Sequence, residues 1–283
     1  MEITEITEDN VEQFMEYIDP DACENIGRRF YRAVAVTDDD TTEAAMIWEL
    51  KHAEDEEVDT EGRLDWISVT DASAKKLLFE EYASRATEEE VTKSYFKFTT
   101  DAAGSLRETF EGEGFETEDC EGDDIVVTIE RLLELPMVKK TKTPPYIVEL
   151  GTLKSRSFRS GVIDCMYHIH RELPEDLAAL SLDWYEPDVS CYEESDGNID
   201  GFLLVHRMTS GKLRVELLAD WGPDEKKNLM YMVRFSILRA AELYPHDTEV
   251  VIHRHDSATF KLSAYLFPEA KGEESFSGQR QEG

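Results

Sequence analysis

Nowhere does this 283-residue chain hold an apolar run near the roughly 20 residues that cross a bilayer, so no membrane span is expected. Its start, Met1-Glu2-Ile3-Thr4-Glu5, lacks the basic flank and apolar block of a secretory leader. Cysteine is scarce. Cys23, Cys120, Cys165 and Cys191 lie far apart and form no CxxC pair, which argues against a disulfide framework or a zinc site. Reduced thiols and a cytoplasmic location are the expectation. Basic residues are also in short supply, 30 against 63 acidic ones, for a net charge of −33. Nucleic acid needs the opposite field, so it is set aside as a partner. The acidic surface fits solubility or a salty cytoplasm, and it would also draw in a cationic amine.

What the chain does have is an alternation of strand-like runs and amphipathic helices, which reads as α/β (α+β). In the second half, strands are expected over 189–193, 201–205, 213–219 and 249–253, with a hairpin turn at Ser195-Asp196-Gly197-Asn198. Gly222-Pro223 opens a long helix that runs to about Tyr244, ahead of Pro245. Leu229, Val233, Ile237, Ala241 and Tyr244 share one face of it. A short helix follows over 257–266. The first half repeats this order: strands over 33–37, 44–50, 64–69 and 94–99, a helix from Ser73, a short helix over 102–112, and a closing strand over 124–132.

Two copies of one pattern, offset by roughly 150 residues, imply two domains rather than a solenoid. The basic, proline-rich stretch Pro136-Met137-Val138-Lys139-Lys140-Thr141-Lys142-Thr143-Pro144-Pro145 reads as the linker, because Pro-Pro continues neither a helix nor a central strand. The expected division is therefore 1–135, 136–145 and 146–268. Residues 269–283, rich in Gly, Ser, Glu and Gln, read as a disordered tail whose removal leaves folding intact.

Strand, turn, strand, strand, long helix, strand, short helix resembles the core of the GNAT superfamily of N-acetyltransferases. Glu193-Glu194-Ser195-Asp196-Gly197-Asn198-Ile199-Asp200-Gly201-Phe202-Leu203 is similar to that family's central hairpin. Leu106-Arg107-Glu108-Thr109-Phe110-Glu111-Gly112-Glu113-Gly114-Phe115-Glu116 is similar to its last core helix and Gly-Phe exit. The resemblance implies two mixed-sheet domains with flanking helices. It further implies transfer of an acetyl group from acetyl-CoA to the amine of a small molecule or peptide, with no metal. Competent members carry a Gln/Arg-x-x-Gly-x-Gly/Ala loop whose backbone N–H groups cradle the pyrophosphate. The corresponding segments here, Thr70-Asp71-Ala72-Ser73-Ala74-Lys75 and Asp220-Trp221-Gly222-Pro223-Asp224-Glu225, do not match it. The family places the cofactor near Ala219, Gly222, Lys226 and Lys227. Ordinary solvated helix surface is the plainer reading of the lysines, and of Lys75 and Lys76 in the first half.

For the chemistry, an ammonium must lose a proton and the leaving thiolate must gain one. By resemblance Glu216, inside Leu213-Arg214-Val215-Glu216-Leu217-Leu218, is the base and Tyr265 the acid. A carboxylate buried in so apolar a strand has a raised pKa; the alternative is a pairing with Arg214 or Arg207. His253 and His255 share one side of a strand end, and His255 is a candidate proton carrier. Phe110 stands where the family's Tyr belongs, and Ile67 aligns with Glu216, so the first half reads as non-catalytic. Trp66, Trp184, Tyr185, Tyr192 and Trp221 line a cleft or fill a core. The alternative to an enzyme is a non-catalytic GNAT-fold protein that binds a ligand or partner.

Overall fold

The computed structural model describes residues 1–39, 41–51, 60–100, 106–140, 142–169, 177, 180–223, 225–254 and 257–282. The chain divides into two compact units. Unit 1 is Met1–Gly122 with Glu273–Gly283, and unit 2 is Asp123–Gly272.

Unit 1 contains β1 (Glu2–Glu5), α1 (Pro20–Cys23), β2 (Tyr31–Asp38), β3 (Thr41–Lys51), β4 (Thr60–Val69), α2 (Ala72–Glu88), β5 (Val91–Thr99), α3 (Leu106–Gly112) and β6 (Glu116–Glu121). Val34, Val36, Met46 and Trp48 pack under α2, while Ala33, Ala35, Ala45 and Ile47 pack on the other face with Phe14 and Ile18. Both faces are therefore covered, which is why these two strands read as continuous apolar runs rather than alternating ones. Asp71 starts α2, its carboxylate accepting from Ser73 N at 2.8 Å and Ala74 N at 3.0 Å.

Unit 2 contains β7 (Asp124–Thr128), α4 (Ile129–Leu133), α5 (Pro136–Lys140), β8 (Ile147–Glu149), α6 (Ser155–His168), β9 (Cys191–Ser195), β10 (Asn198–Arg207), β11 (Leu213–Asp220), α7 (Glu225–Leu243), β12 (Glu249–His253) and α8 (Ser257–Leu266). Here α6 covers one face through Phe158 and Val162, and α7 the other through Met232, Ile237 and Ala240. The β9–β10 turn has Asp196 at φ 52° and Gly197 at φ 84°, the left-handed pair that a two-residue hairpin requires. The long helix begins at Glu225, two residues after Pro223, so proline is not its first residue.

The last strand, β13 (Glu274–Gln281), overturns the expectation of a disordered tail. It lies inside the sheet of unit 1, whose order is β1-β2-β3-β4-β5-β13-β6. Phe276 is fully buried there, and one such anchor with a full set of ladder bonds outweighs a polar composition. The strand expected over 124–132 is shorter, ends at Thr128, and closes the other sheet: β7-β12-β11-β10-β9-β8. Each half of the chain thus gives its final strand to the unit formed by the other. The division falls after Gly122, not within 136–145. That stretch is anchored in unit 2, with Val138 in its core and Arg234 donating to Val138 O and Thr143 Oγ1.

The strand pairing that matters for a site is the parallel one in each sheet. The β11–β12 ladder ends at Val215↔Ile252, although β11 continues to Asp220. The β4–β5 ladder ends at Leu64↔Phe96, although β4 continues to Val69. In both, the next residue is a bulge. Leu204 and Val205 pair with Leu217 and Val215, which leaves Glu216 over; Ile47 and Trp48 pair with Trp66 and Leu64, which leaves Asp65 over. A bulge bends its strand, and here the two parallel strands part at that point. The bulges align Asp65 with Glu216, correcting the expected match to Ile67.

Candidate active site

In unit 2 the parting of β11 and β12 opens a cavity of about 100 Å³. Val215, Leu218, Ile237, Ile252 and Leu266 give it an aliphatic wall, and Glu216, Ser236, His253 and Ser263 are its polar members. Glu216 is half-buried. Arg207, one cation expected to pair with it, lies instead over the ring of Tyr244 at 5.6 Å.

His253 ends β12 directly opposite Asp124, the first residue of β7. The imidazole Nδ1 and Asp124 Oδ1 are 2.6 Å apart. A carboxylate on Nδ1 selects the tautomer that leaves Nε2 as a proton acceptor. His253 is thus the histidine that the cavity holds. His255, the candidate carrier from the sequence, lies outside the described residues. Tyr265, the expected acid, is 78% exposed and does not line the cavity, because α8 turns Leu262, Ser263 and Leu266 toward it instead.

The loop ahead of α7 is acidic and closed. Gly222 N donates to Asp220 Oδ1 at 2.8 Å. Asp220 is 3% exposed and Glu193, from β9, 5% exposed. Asn228 Nδ2 donates to Glu193 Oε1 at 2.8 Å, and Asn228 Oδ1 accepts from Tyr146 Oη at 3.2 Å. Burial, then a hydrogen bond to Asp220 and the nearby charges of Asp220 and Asp200, push the Glu193 carboxyl up to about 8. Of the residues expected at a cofactor, Ala219 is buried, Gly222 has its N–H engaged, and Lys227 sits 5.6 Å over Tyr231. The side chain of Lys226 lies outside the described residues. Sequence reasoning missed Glu193 and Asp220, although each ends an apolar strand run, which is the signal that could have found them.

A folded-state value above the ordinary carboxylate range stabilises the protein below that range and is lost as pH rises toward 8. Glu193→Gln, which keeps a donor toward Asp220, is therefore expected to raise the melting temperature at pH 8 by about 5 °C. The gain shrinks steadily toward pH 5. Parallel thermal melts of the variant and the parent across that range check it.

The core of unit 1 is aromatic. Phe79 of α2 meets Phe110 of α3 edge-on at 5.7 Å, and Phe96 stacks on Phe110 at 4.0 Å. Asp65, at its bulge, is engaged by Arg63 at 2.8 Å and Asn25 at 3.2 Å. Trp66 meets Tyr17, and in unit 2 Tyr185 and Tyr192 are buried while Trp184 stacks on His206 at 4.1 Å. These four are core residues, while Trp221 is half-buried against Phe202.

Two units of this topology, each with a bulged strand parted from its parallel neighbour, have parallels among solved structures. A tandem GNAT protein from the clavulanic acid biosynthesis pathway superposes over 100% of this chain and 98% of its own, with a TM-score of 0.63 at 11% identity. The fold is the tandem GNAT fold. A GCN5-related N-acetyltransferase from Kribbella flavida matches 85% of this chain and 87% of its own, with a TM-score of 0.52 at 10% identity. Another from Anabaena variabilis matches 100% and 73%, with a TM-score of 0.51 at 12% identity. At such identities the likeness speaks for the GNAT fold alone. No protein-family model and no curated protein matches the sequence.

No helix among the described residues is long and apolar enough to cross a membrane. No group of three or more His, Cys, Asp or Glu residues among them is placed to hold a metal ion. An acyl-CoA, which the GNAT fold implies, fits in part. The aliphatic cavity at the strand parting suits an acyl-pantetheine arm. The loop before α7 does not suit the pyrophosphate, since Asp220 already takes the Gly222 N–H.

Proposed function

We propose that this protein transfers an acyl group from an acyl thioester to an amine, with unit 2 carrying the chemistry and unit 1 serving as scaffold. The observation that supports it most is that Glu216 and an aspartate-held His253 line one cavity where β11 and β12 part. A bound thioester supplies an electrophilic carbonyl and a thiolate leaving group. Glu216, at the bulge, attracts the ammonium form of the acceptor and takes its first proton. His253 Nε2 takes the proton that nitrogen sheds on attack, while Asp124 holds Nδ1, and returns it to the departing sulfur. His253 thereby replaces Tyr265 in the acid role.

A cationic acceptor also suits a chain of net charge −33. The amine is a small molecule or a peptide terminus.

The test is release of free thiol from acetyl-CoA and from S-acetyl-pantetheine in the presence of a panel of primary amines. Amine-dependent release is expected with one donor at least. A second reading, thioester binding without turnover, is favoured by the carboxylates of Asp71 and Asp220 at the helix-start loops. Binding of either donor with no amine-dependent release would establish that reading and sink the enzyme.

A further inference from the structure

We infer that the acyl donor of unit 2 is a thioester whose thiol carries no nucleoside diphosphate, of the acyl-pantetheine class. This rests on the acyl-transfer reading above and narrows it.

A diphosphate at a helix start needs free backbone N–H groups and a field that tolerates two negative charges. Among the described residues 221–223 of the loop before α7 no backbone N–H is left over: Trp221 N donates to Asp200 O at 2.8 Å. The Gly222 N–H is bound by the Asp220 carboxylate at 2.8 Å. Pro223 has no N–H to give. A side chain begun at Gly222 would meet Asp200 Cβ and Asp220 Oδ1 at 3.3 Å and Glu193 Oε1 at 3.7 Å. Carboxylate oxygens from β9 and β11, and the Cβ of Asp200 from β10, therefore crowd the glycine of the loop.

They are not loose surface acids that a ligand could push aside. Asp220 and Glu193 are almost wholly buried, and Asn228 on α7 and Tyr146 ahead of β8 fix Glu193 in place. Asp220 and Asp200 both add unfavourable charge beside Glu193. The start of α2 in unit 1 differs. Asp71 caps that helix from a partly exposed position, which solvent can reach.

The rest of the unit 2 site suits the opposite end of a thioester. Its cavity has an aliphatic wall, matched to an acyl chain and the uncharged pantetheine arm rather than to phosphate. The attraction is apolar and the repulsion lies at the nucleotide end, so removing the nucleotide should tighten binding.

The experiment measures dissociation constants by calorimetry for S-acetyl-pantetheine and acetyl-CoA, on the parent and on the Glu193→Gln, Asp220→Asn double variant. The parent is expected to bind S-acetyl-pantetheine about tenfold tighter than acetyl-CoA. The double variant should tighten acetyl-CoA about tenfold and leave S-acetyl-pantetheine unchanged, since only the diphosphate meets these charges. Should the double variant fail to fold, Asp200→Asn replaces it, with about a threefold gain for acetyl-CoA. Tighter binding of acetyl-CoA by the parent overturns this inference while leaving acyl transfer standing. So does an unchanged ratio in the folded variant. If the parent binds neither donor at millimolar concentration, the acyl-transfer reading falls and this inference with it.

Discussion

Deletion of residues 273–283 is expected to unfold unit 1 while unit 2 stays folded. The deleted strand β13 lies in the interior of the sheet, pairing from Ser275↔Thr99 to Gln281↔Lys93 on one side and from Glu274↔Glu121 to Gln279↔Glu116 on the other. Without it β6 has no partner strand in the sheet. Phe276 sits in a cluster with Phe96, Phe98, Phe110 and Phe115, and losing one buried phenyl ring costs about 3–5 kcal/mol. Gly278 lies so close to Phe96 that an added Cβ would be 2.5 Å from its ring. Arg280 spans Glu113 O at 2.9 Å and the ring of Phe115 at 4.7 Å. Glu282 bonds Ser94, which bonds the buried Tyr82 at 2.6 Å. Together these losses exceed the roughly 5–15 kcal/mol that holds a domain. Hydrogen exchange should show β2 to β5 losing protection in the truncated chain while β9 to β12 keep theirs. A peptide of residues 273–283 added in trans should restore it. An unchanged exchange pattern after truncation would refute this account of the fold.

The second large effect falls on catalysis. His253→Gln is expected to lower kcat/KM for amine-dependent thiol release by about 10²–10⁴. Asp124 touches no substrate; it is a positioning residue whose carboxylate lies 2.6 Å from His253 Nδ1. Asp124→Asn should therefore lower kcat by at least about tenfold with little change in KM. A raised KM with an unchanged kcat would demote the pair to a strand-end contact. Glu216→Gln completes the series, with a loss of similar size if Glu216 takes the first proton.

Much of this was legible from residues alone, and the reasons differ by element. The order of strands and helices could be read because apolar periodicity is local, and the Asp196-Gly197 turn because left-handed backbone selects those residues. The tail could not be read. Ser, Gly, Gln and Arg alternate along β13, and only the distant aromatic cluster into which Phe276 fits makes it a strand. Glu216 was found by resemblance, yet its special position is a bulge, a property of pairing with β10 rather than of its own strand. The same applies to Asp65. Of the two histidines at the end of β12, only the contact with Asp124, more than a hundred residues earlier, singles out His253. Glu193 and Asp220 each end an apolar run, but their pairing could not be read for the same reason: only the sheet brings the two acids together.

The exchange of final strands also sets an order of maturation. A ribosome delivers residues from the amino end, so segments β1 to β6 leave it long before the strand that must separate β5 from β6. Unit 2 is contiguous from Asp123 to Gly272 and holds every strand of its own sheet by the time Gly272 emerges. The part of the chain made second is thus the first that can finish, and the part made first waits for the last ten or so residues with an open gap in its sheet.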